Sequence, residues 1–170
     1  MGQALRRQGK DCGRDAVPPV KRWSSKPPWT ASFSRWNSSR TRRSPQPSSA
    51  PGCGIEPTGG TVYAPFDGKV TSIVSTLHAV GLESTEGIEL LIHIGMDTIA
   101  LRGSGFTPLV REGQAVKAGT ALLKVDLDAI RAANHPTTTA VIVTNADDLP
   151  KLHIIAGGIV STGTPLFKFE

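Results

Sequence analysis

From Thr61 onward the chain is a succession of short apolar runs broken by glycine: "TVYAP", "GKVTSIV", "HAVGLES", "IELLIHIG", "FTPLV", "QAVKAG", "ALLKVD", "TAVIVTN", "GGIVSTG" and "LFKFE". Runs this short and this closely spaced leave no room for a crossover helix between each pair. They predict an all-β sandwich or barrel rather than alternating βαβ units. One stretch breaks the pattern, "DLDAIRAAN" from Asp126 to Asn134, with Asp126 placed as a helix N-cap and Pro136 just past its end. "NADDLP" predicts a second, shorter helical turn. The fold class is therefore all-β, antiparallel, with one or two short helices. A theme of apolar run, glycine turn, apolar run recurs three times. It appears in "APFDGKV" (Ala64–Val70), in "REGQAVKAGTALLKV" with Gly113 and Gly119, and in "AGGIVSTGTPLFKF" with Gly157, Gly158 and Gly163. Each reads as a hairpin, and three similar hairpins predict a barrel-like sandwich with some internal symmetry.

A chain of 170 residues suits one domain, or one domain with a tail. The net charge of +5 hides a sharp asymmetry, because residues 1–52 hold 11 Lys and Arg against 2 acids, whereas residues 53–170 hold 8 against 12. Seven of the 13 prolines and all three tryptophans also lie in the first segment. The basic balance thus says nothing of the globular part, which reads as a mildly acidic domain with no nucleic-acid partner expected. Cys12 and Cys53 are too few for a disulfide framework or a zinc cage. No run approaches the ~20 apolar residues of a membrane span. No apolar signal-peptide core precedes the domain, and "MGQALR" carries Arg6 where a myristoylation signal has Ser or Thr. The expected location is cytoplasmic.

The segment "IELLIHIGMDTIALRGSGF", Ile88 to Phe106, sets His93 among Leu90, Leu91, Ile92 and Ile94, with Asp97 four residues on. On residue type alone, a histidine in so apolar a strand is most simply a satisfied core residue.

Five blocks move that reading. "GIEPTGGTVYAPFDGKVTSI", "TLHAVGLES", "GIELLIHIGMDTIALRGSGF", "VREGQAVKAGTALLKVDLDAI" and "AVIVTN" follow one another in an order and spacing similar to enzyme IIA (EIIA) of the glucose class, in the bacterial phosphoenolpyruvate-dependent sugar phosphotransferase system. The resemblance runs from Gly54 to the C-terminus. It implies an antiparallel barrel-sandwich hybrid with a shallow active-site depression. It further implies that His93 accepts a phosphoryl group from the phosphohistidine of HPr and donates it to a cysteine of a sugar permease IIB domain, with no cofactor and no metal. His78, preceded two residues earlier by Thr76, is then its partner: His78 would bond the phosphoryl oxygens and Thr76 would fix the tautomer of His78. Asp97 becomes a rim acid that meets an arginine of the partner, and Val80, Ile94, Met96 and Ile99 an apolar ring that docks it, against a plain reading of these four as core. A neutral imidazole is a competent nucleophile near neutral pH, and positioning with charge stabilisation supplies most of the catalysis of phosphoryl transfer. His135 and His153 read as structural or exposed. Where the family usually has proline, this chain has Ala140, which should alter a strand entry and little else.

Residues 1–52 lack the hairpin and "PDPVFA"-like loop with which that family begins. Joining the third base of each codon to the first two of the next, from Lys26 to Pro45, permits A-P-V-D-G-V-V-Q-P-L-E-Q-F-P-D-P-A-F-A. Two of those positions, the Asp from Trp29–Thr30 and the Glu from Trp36–Asn37, are forced. Residues 1–52 therefore read as a frame-displaced or disordered segment ahead of an EIIA domain at 53–170. The alternative is a natural basic tail that binds an anionic surface or nucleic acid. Loss of the first hairpin would remove strands and bare a sheet edge.

Two other functions compete with the carrier. A regulatory module whose phosphorylation state is read by other proteins would use the same histidine. A zinc peptidase would use His93, Asp97 and His78 as ligands, but it needs a further His-x-His pair that the sequence lacks.

Overall fold

The computed structural model of the protein describes residues 31–34, 50–155, 158–160 and 165–169, of which 31–34 and 158–160 are described by backbone alone. Gly157, Gly163 and most of the basic segment lie outside the described residues. Strands β1 (Ala31–Ser34), β2 (Gly52–Pro57), β3 (Thr61–Tyr63), β4 (Gly68–Ile73), β5 (Ala79–Ser84) and β6 (Glu89–His93) come first. They are followed by β7 (Phe106–Pro108), β8 (Ala115–Val116), β9 (Ala121–Val125), helix α1 (Leu127–Ala132), β10 (Thr139–Val143), β11 (Leu152–Ile154), β12 (Gly158–Val160) and β13 (Phe167–Phe169). All pairings are antiparallel, in one sheet of order β12-β1-β2-β10-β6-β5-β4-β8, a second of order β3-β9-β7, and the pair β11-β13. The all-β expectation thus describes the observed architecture.

The helical expectations are met as well. The Asp126 carboxylate accepts from the backbone N–H groups of Asp128 at 3.1 Å and Ala129 at 2.9 Å, which satisfies two donors that a first helical turn leaves free. A 3₁₀ turn at Ala146–Asp148 fills "NADDLP", and another follows β6 at Thr98–Leu101.

The three glycine-punctuated repeats are not hairpins. In "APFDGKV", β3 pairs with β9 whereas β4 pairs with β5 and β8. In the second repeat β8 joins β4 and β9 joins β3 and β7, and in the third β12 joins β1 while β13 joins β11. Each repeat carries the chain from one sheet to another, which is how corners are made in folded-over sheets. The first two corners run side by side, tied by Ala64 N–H to the Thr120 carbonyl and Gly119 N–H to the Ala64 carbonyl, both at 2.8 Å. The glycines serve these corners. Gly113 and Gly119 adopt φ of +79° and +86°, and a Cβ on Gly68 would lie 2.0 Å from the Glu83 carbonyl oxygen.

Period-two alternation places the core between the sheets. On β6, Leu90 and Ile92 face inward at no more than 2% exposure, joined by Ile94 just past its end, and Leu91 and His93 face the other way. Val62, Leu82, Leu122, Leu123, Ile130 and Phe167 complete a continuous apolar interior. Strand β1 is drawn from the segment that the sequence sets apart from the domain, and it lies between β2 and β12. The β2 flank is therefore covered rather than bare, since ladder pairing draws on backbone groups that any proline-free tetrapeptide supplies. Among the described residues no helix is long and apolar enough to cross a membrane.

The corner geometry is testable by denaturant titration. Gly68→Ala should lower stability by at least the ~1–3 kcal/mol typical of overpacking, because its Cβ meets backbone that cannot yield. Gly59→Ala, with nothing within 4 Å of the new carbon and no positive φ, should be neutral or stabilising by up to ~1 kcal/mol.

Candidate functional site

Strand pairing brings the two candidate histidines together. His93 ends β6 opposite Ala79, the first residue of β5, and His78 precedes Ala79 in the chain. The Ile94 N–H donates to the His78 carbonyl at 2.8 Å, which continues the ladder by one step. The imidazole rings meet edge to face, with centroids 4.8 Å apart and planes inclined by 77°. His78 is buried at 7% exposure and His93 is half-buried.

Each ring has its own anchor at Nδ1. His78 Nδ1 lies 2.6 Å from the Thr76 hydroxyl, and His93 Nδ1 lies 2.9 Å from the Gly95 carbonyl oxygen. A carbonyl only accepts, so His93 carries its hydrogen on Nδ1 and keeps its lone pair on Nε2. Burial holds the His78 imidazole below the usual histidine range. The neighbouring His93 lowers it further, and a hydrogen bond to the backbone at Thr76 opposes both.

The cross-strand partners of His93 are small residues. Ala140 of β10 pairs with His93 on one side and with Gly54 of β2 on the other, while Ala79 flanks the opposite edge. These cross-strand partners share a face, so no large side chain in the row stands beside the ring. Ala140 is the second residue of β10, at the entry of that strand.

Beyond β6 the chain turns sharply through an unusual backbone. Gly95 has φ +71° and Asp97 φ +58°, and Arg102, which closes the following 3₁₀ turn, has φ +48°. Leu77, next to His78, is also left-handed at φ +58°. Left-handed non-glycine residues cost energy and gather where a site must be held in one geometry.

The sequence named eight residues for this site, and the structure divides them. Thr76, His78 and His93 are joined as described. Asp97 is exposed on the turn, Ile99 is 60% exposed and Met96 is half-buried. Val80 and Ile94 are core residues at 0% and 1% exposure, which takes them out of the expected docking ring. The reason is strand parity: His93 faces outward, so Ile92 and Ile94 on either side must face inward, and Val80 pairs with Ile92. His135 is half-buried in the loop after α1 and His153 is half-buried on β11. Three contributors went unnamed: Gly95, Thr98 and Pro136. The glycine directly after an alternating strand was a legible turn signal, but the long-range contact to Pro136 was not. Among the described residues no three His, Cys, Asp or Glu side chains converge to hold a metal ion, so the peptidase reading finds no ligand set there. Cys53 is buried, with its thiol pushed up to about 12, and is inert as a nucleophile.

The model of the phosphoenolpyruvate-dependent sugar phosphotransferase system, EIIA 1, matches residues 48–149, more than half of the chain. The chain belongs to this EIIA family. It is 39% identical over 113 residues to the PTS system glucose-specific EIIA component of Bacillus cereus, covering 66% of this chain and 68% of that protein. It is 46% identical over 115 residues to the PTS system beta-glucoside-specific EIIBCA component of Dickeya chrysanthemi, covering 68% of this chain and 18% of that protein. The chain therefore spans less than a fifth of the multidomain component it matches. Among solved structures it resembles glucose permease IIA from Mycoplasma capricolum, with a TM-score of 0.76 and 28% identity over 86% of this chain and 95% of that one. The protein carries a glucose-class EIIA domain, a phosphotransferase-system component with the barrel-sandwich fold that the resemblance implied.

Two consequences can be measured. Followed by NMR, the His78 ring of this EIIA domain should titrate below the ordinary ~6.5 of a free imidazole. His93→Gln should raise that value without restoring it, because burial is the larger cause. The unfolded chain takes up this proton at higher pH than the folded one. The stability linked to His78 is thus full above about pH 6.5 and is lost as pH falls through the folded value.

Proposed function

We propose that this EIIA domain carries phosphoryl groups on Nε2 of His93, received from phosphorylated HPr and passed to the cysteine of a sugar permease IIB domain. The observation that supports this most is the anchoring of His93 Nδ1 by the Gly95 carbonyl, which leaves the Nε2 lone pair free beside a second, buried imidazole. The lone pair attacks phosphorus while the nitrogen–phosphorus bond of the donor phosphohistidine breaks, and Nδ1 keeps its hydrogen throughout. In the second transfer a cysteine thiolate attacks the same phosphorus, and Nε2 recovers its lone pair. With the Thr76 hydroxyl donating to Nδ1 of His78, the His78 proton stands on Nε2, where it can bond the phosphoryl oxygens. Asp97, Met96 and Ile99 stand around this centre as the acidic and apolar contacts for both partners. Its place of action is the cytoplasmic side of the permease.

Incubation with phosphorylated HPr should leave acid-labile phosphate on the wild type and none on His93→Gln. His78→Gln should slow transfer by roughly 100-fold, the scale seen when one donor to a developing charge is removed. Acid-labile phosphate on His93→Gln at the wild-type level would refute the assignment.

We further propose that residues 1–52 are a frame-displaced reading of the segment that opens the domain. The composition break and the permitted codon reading support this. An intact mass of the native protein equal to that of the printed sequence would refute it.

A further inference from the structure

Phosphoryl transfer through Nε2 requires that His93 hold one tautomer, and we propose that Thr98 is the positioning residue that enforces it. This inference rests on the phosphoryl-carrier reading for its purpose, but its geometry stands apart from it. The tautomer is decided by the Gly95 carbonyl, which lies beyond the end of β6 and outside any strand ladder. Something else must orient it. The peptide between Gly95 and Met96 is pinned at both ends, since its oxygen accepts from His93 Nδ1 at 2.9 Å and its N–H donates to the Pro136 carbonyl at 3.0 Å. The preceding peptide, between Ile94 and Gly95, is pinned by Thr98, whose hydroxyl donates to the Ile94 carbonyl at 2.5 Å.

Thr98 is fully buried, so no solvent molecule replaces that bond if the hydroxyl is removed. Its methyl group fills the space where a side chain on Gly95 would stand, 2.5 Å from the position of such a Cβ. Hydroxyl and methyl together hold Gly95 at φ +71° with its carbonyl turned back toward the ring. Ile94 also donates its N–H to the His78 carbonyl, so the residue that Thr98 fixes ties the backbones of both histidines together. The two tautomers of a neutral imidazole differ little without a partner, and one directed hydrogen bond selects between them. Rotation of the Gly95 peptide would release Nδ1 and let the proton settle on Nε2, where it blocks attack.

The test compares Thr98→Val, which removes the hydroxyl at nearly constant volume, with Thr98→Ser, which keeps it, in the full chain. Nitrogen-15 NMR of the imidazole nitrogens reads the tautomer directly, and phosphorylated HPr as donor reads the rate. Wild type and Thr98→Ser should show His93 protonated at Nδ1 alone. Thr98→Val should show mixed tautomers and accept phosphate roughly tenfold to 100-fold more slowly, the scale of a misplaced reacting group. A folded Thr98→Val with the Nδ1 tautomer alone and a wild-type rate would overturn the proposal. So would equal impairment of both variants with the tautomer unchanged. If Thr98→Val does not fold, Thr98→Cys replaces it, with the same outcomes read against Thr98→Ser. A wild type that takes no phosphate would sink the carrier reading, while the tautomer comparison would still decide the role of Thr98.

Discussion

A neutral imidazole has one lone pair in its ring plane, and in this fold the carbonyl oxygen of Gly95 decides which nitrogen of His93 keeps it. Much of the surrounding architecture can be understood as support for that one contact. The pairing of β6 with β5 and β10 makes the end of β6 rigid, since it lies in the middle of the large sheet rather than at an edge. The turn after β6 then departs from the ladder through glycine at φ +71°, a conformation that aims a carbonyl back at a side chain two residues earlier. The loop after α1 reaches the same turn through the Pro136 carbonyl. Its next two residues are clamped in turn, because the Thr137 hydroxyl donates to Glu56 Oε1 and the Thr138 hydroxyl to Glu56 Oε2 at 2.6 Å. Contacts from β2, the post-helix loop and the 3₁₀ turn thus meet behind the His93 ring.

The two histidines differ in chemistry because they differ in surroundings. His78 sits deeper, its Nδ1 committed to a hydroxyl, and burial disfavours its charged form. His93 is half-buried, its Nδ1 committed to a carbonyl. A buried neutral ring suits a hydrogen-bond donor to phosphoryl oxygens, and a more accessible ring with a free lone pair suits the nucleophile. Interchanging the rings would place the proposed nucleophile where a partner could hardly reach it.

Much of this was legible in the sequence, and the parts that were not share a cause. Short runs and glycine spacing disclosed an all-β chain, and Asp126 disclosed the start of its helix. The histidine pair emerged from the order of the blocks. The same glycines misled on topology: a tight turn between two apolar runs looks alike whether the strands pair with each other or part into different sheets, since only distant partners such as β9 and β5 separate the cases. Parity was available but unused. An outward His93 obliges Ile92 and Ile94 to point inward, so Ile94 could have been assigned to the core from "LLIHIG" alone, and Val80 required the pairing with Ile92. Pro136 lies some forty residues from Met96 in the chain. No local rule connects them.

A carrier of the kind proposed must meet two partners in turn with one atom, and the floor around His93 suits that demand. A deep pocket would hold a phosphoryl group well but admit neither another protein's phosphohistidine nor its cysteine. The row Gly54, Ala140, His93, Ala79 provides the opposite: a line of small side chains in which the His93 ring is the one large group. Protection from water then has to come from whatever covers the floor. Ile99, 60% exposed, and the exposed Asp97 lie on the turn at its margin, where a docked protein would desolvate them together with the ring. On that proposal the site is open while empty and closed only by the proteins it serves, so specificity would rest on the fit of partner surfaces and not on a pocket for the sugar.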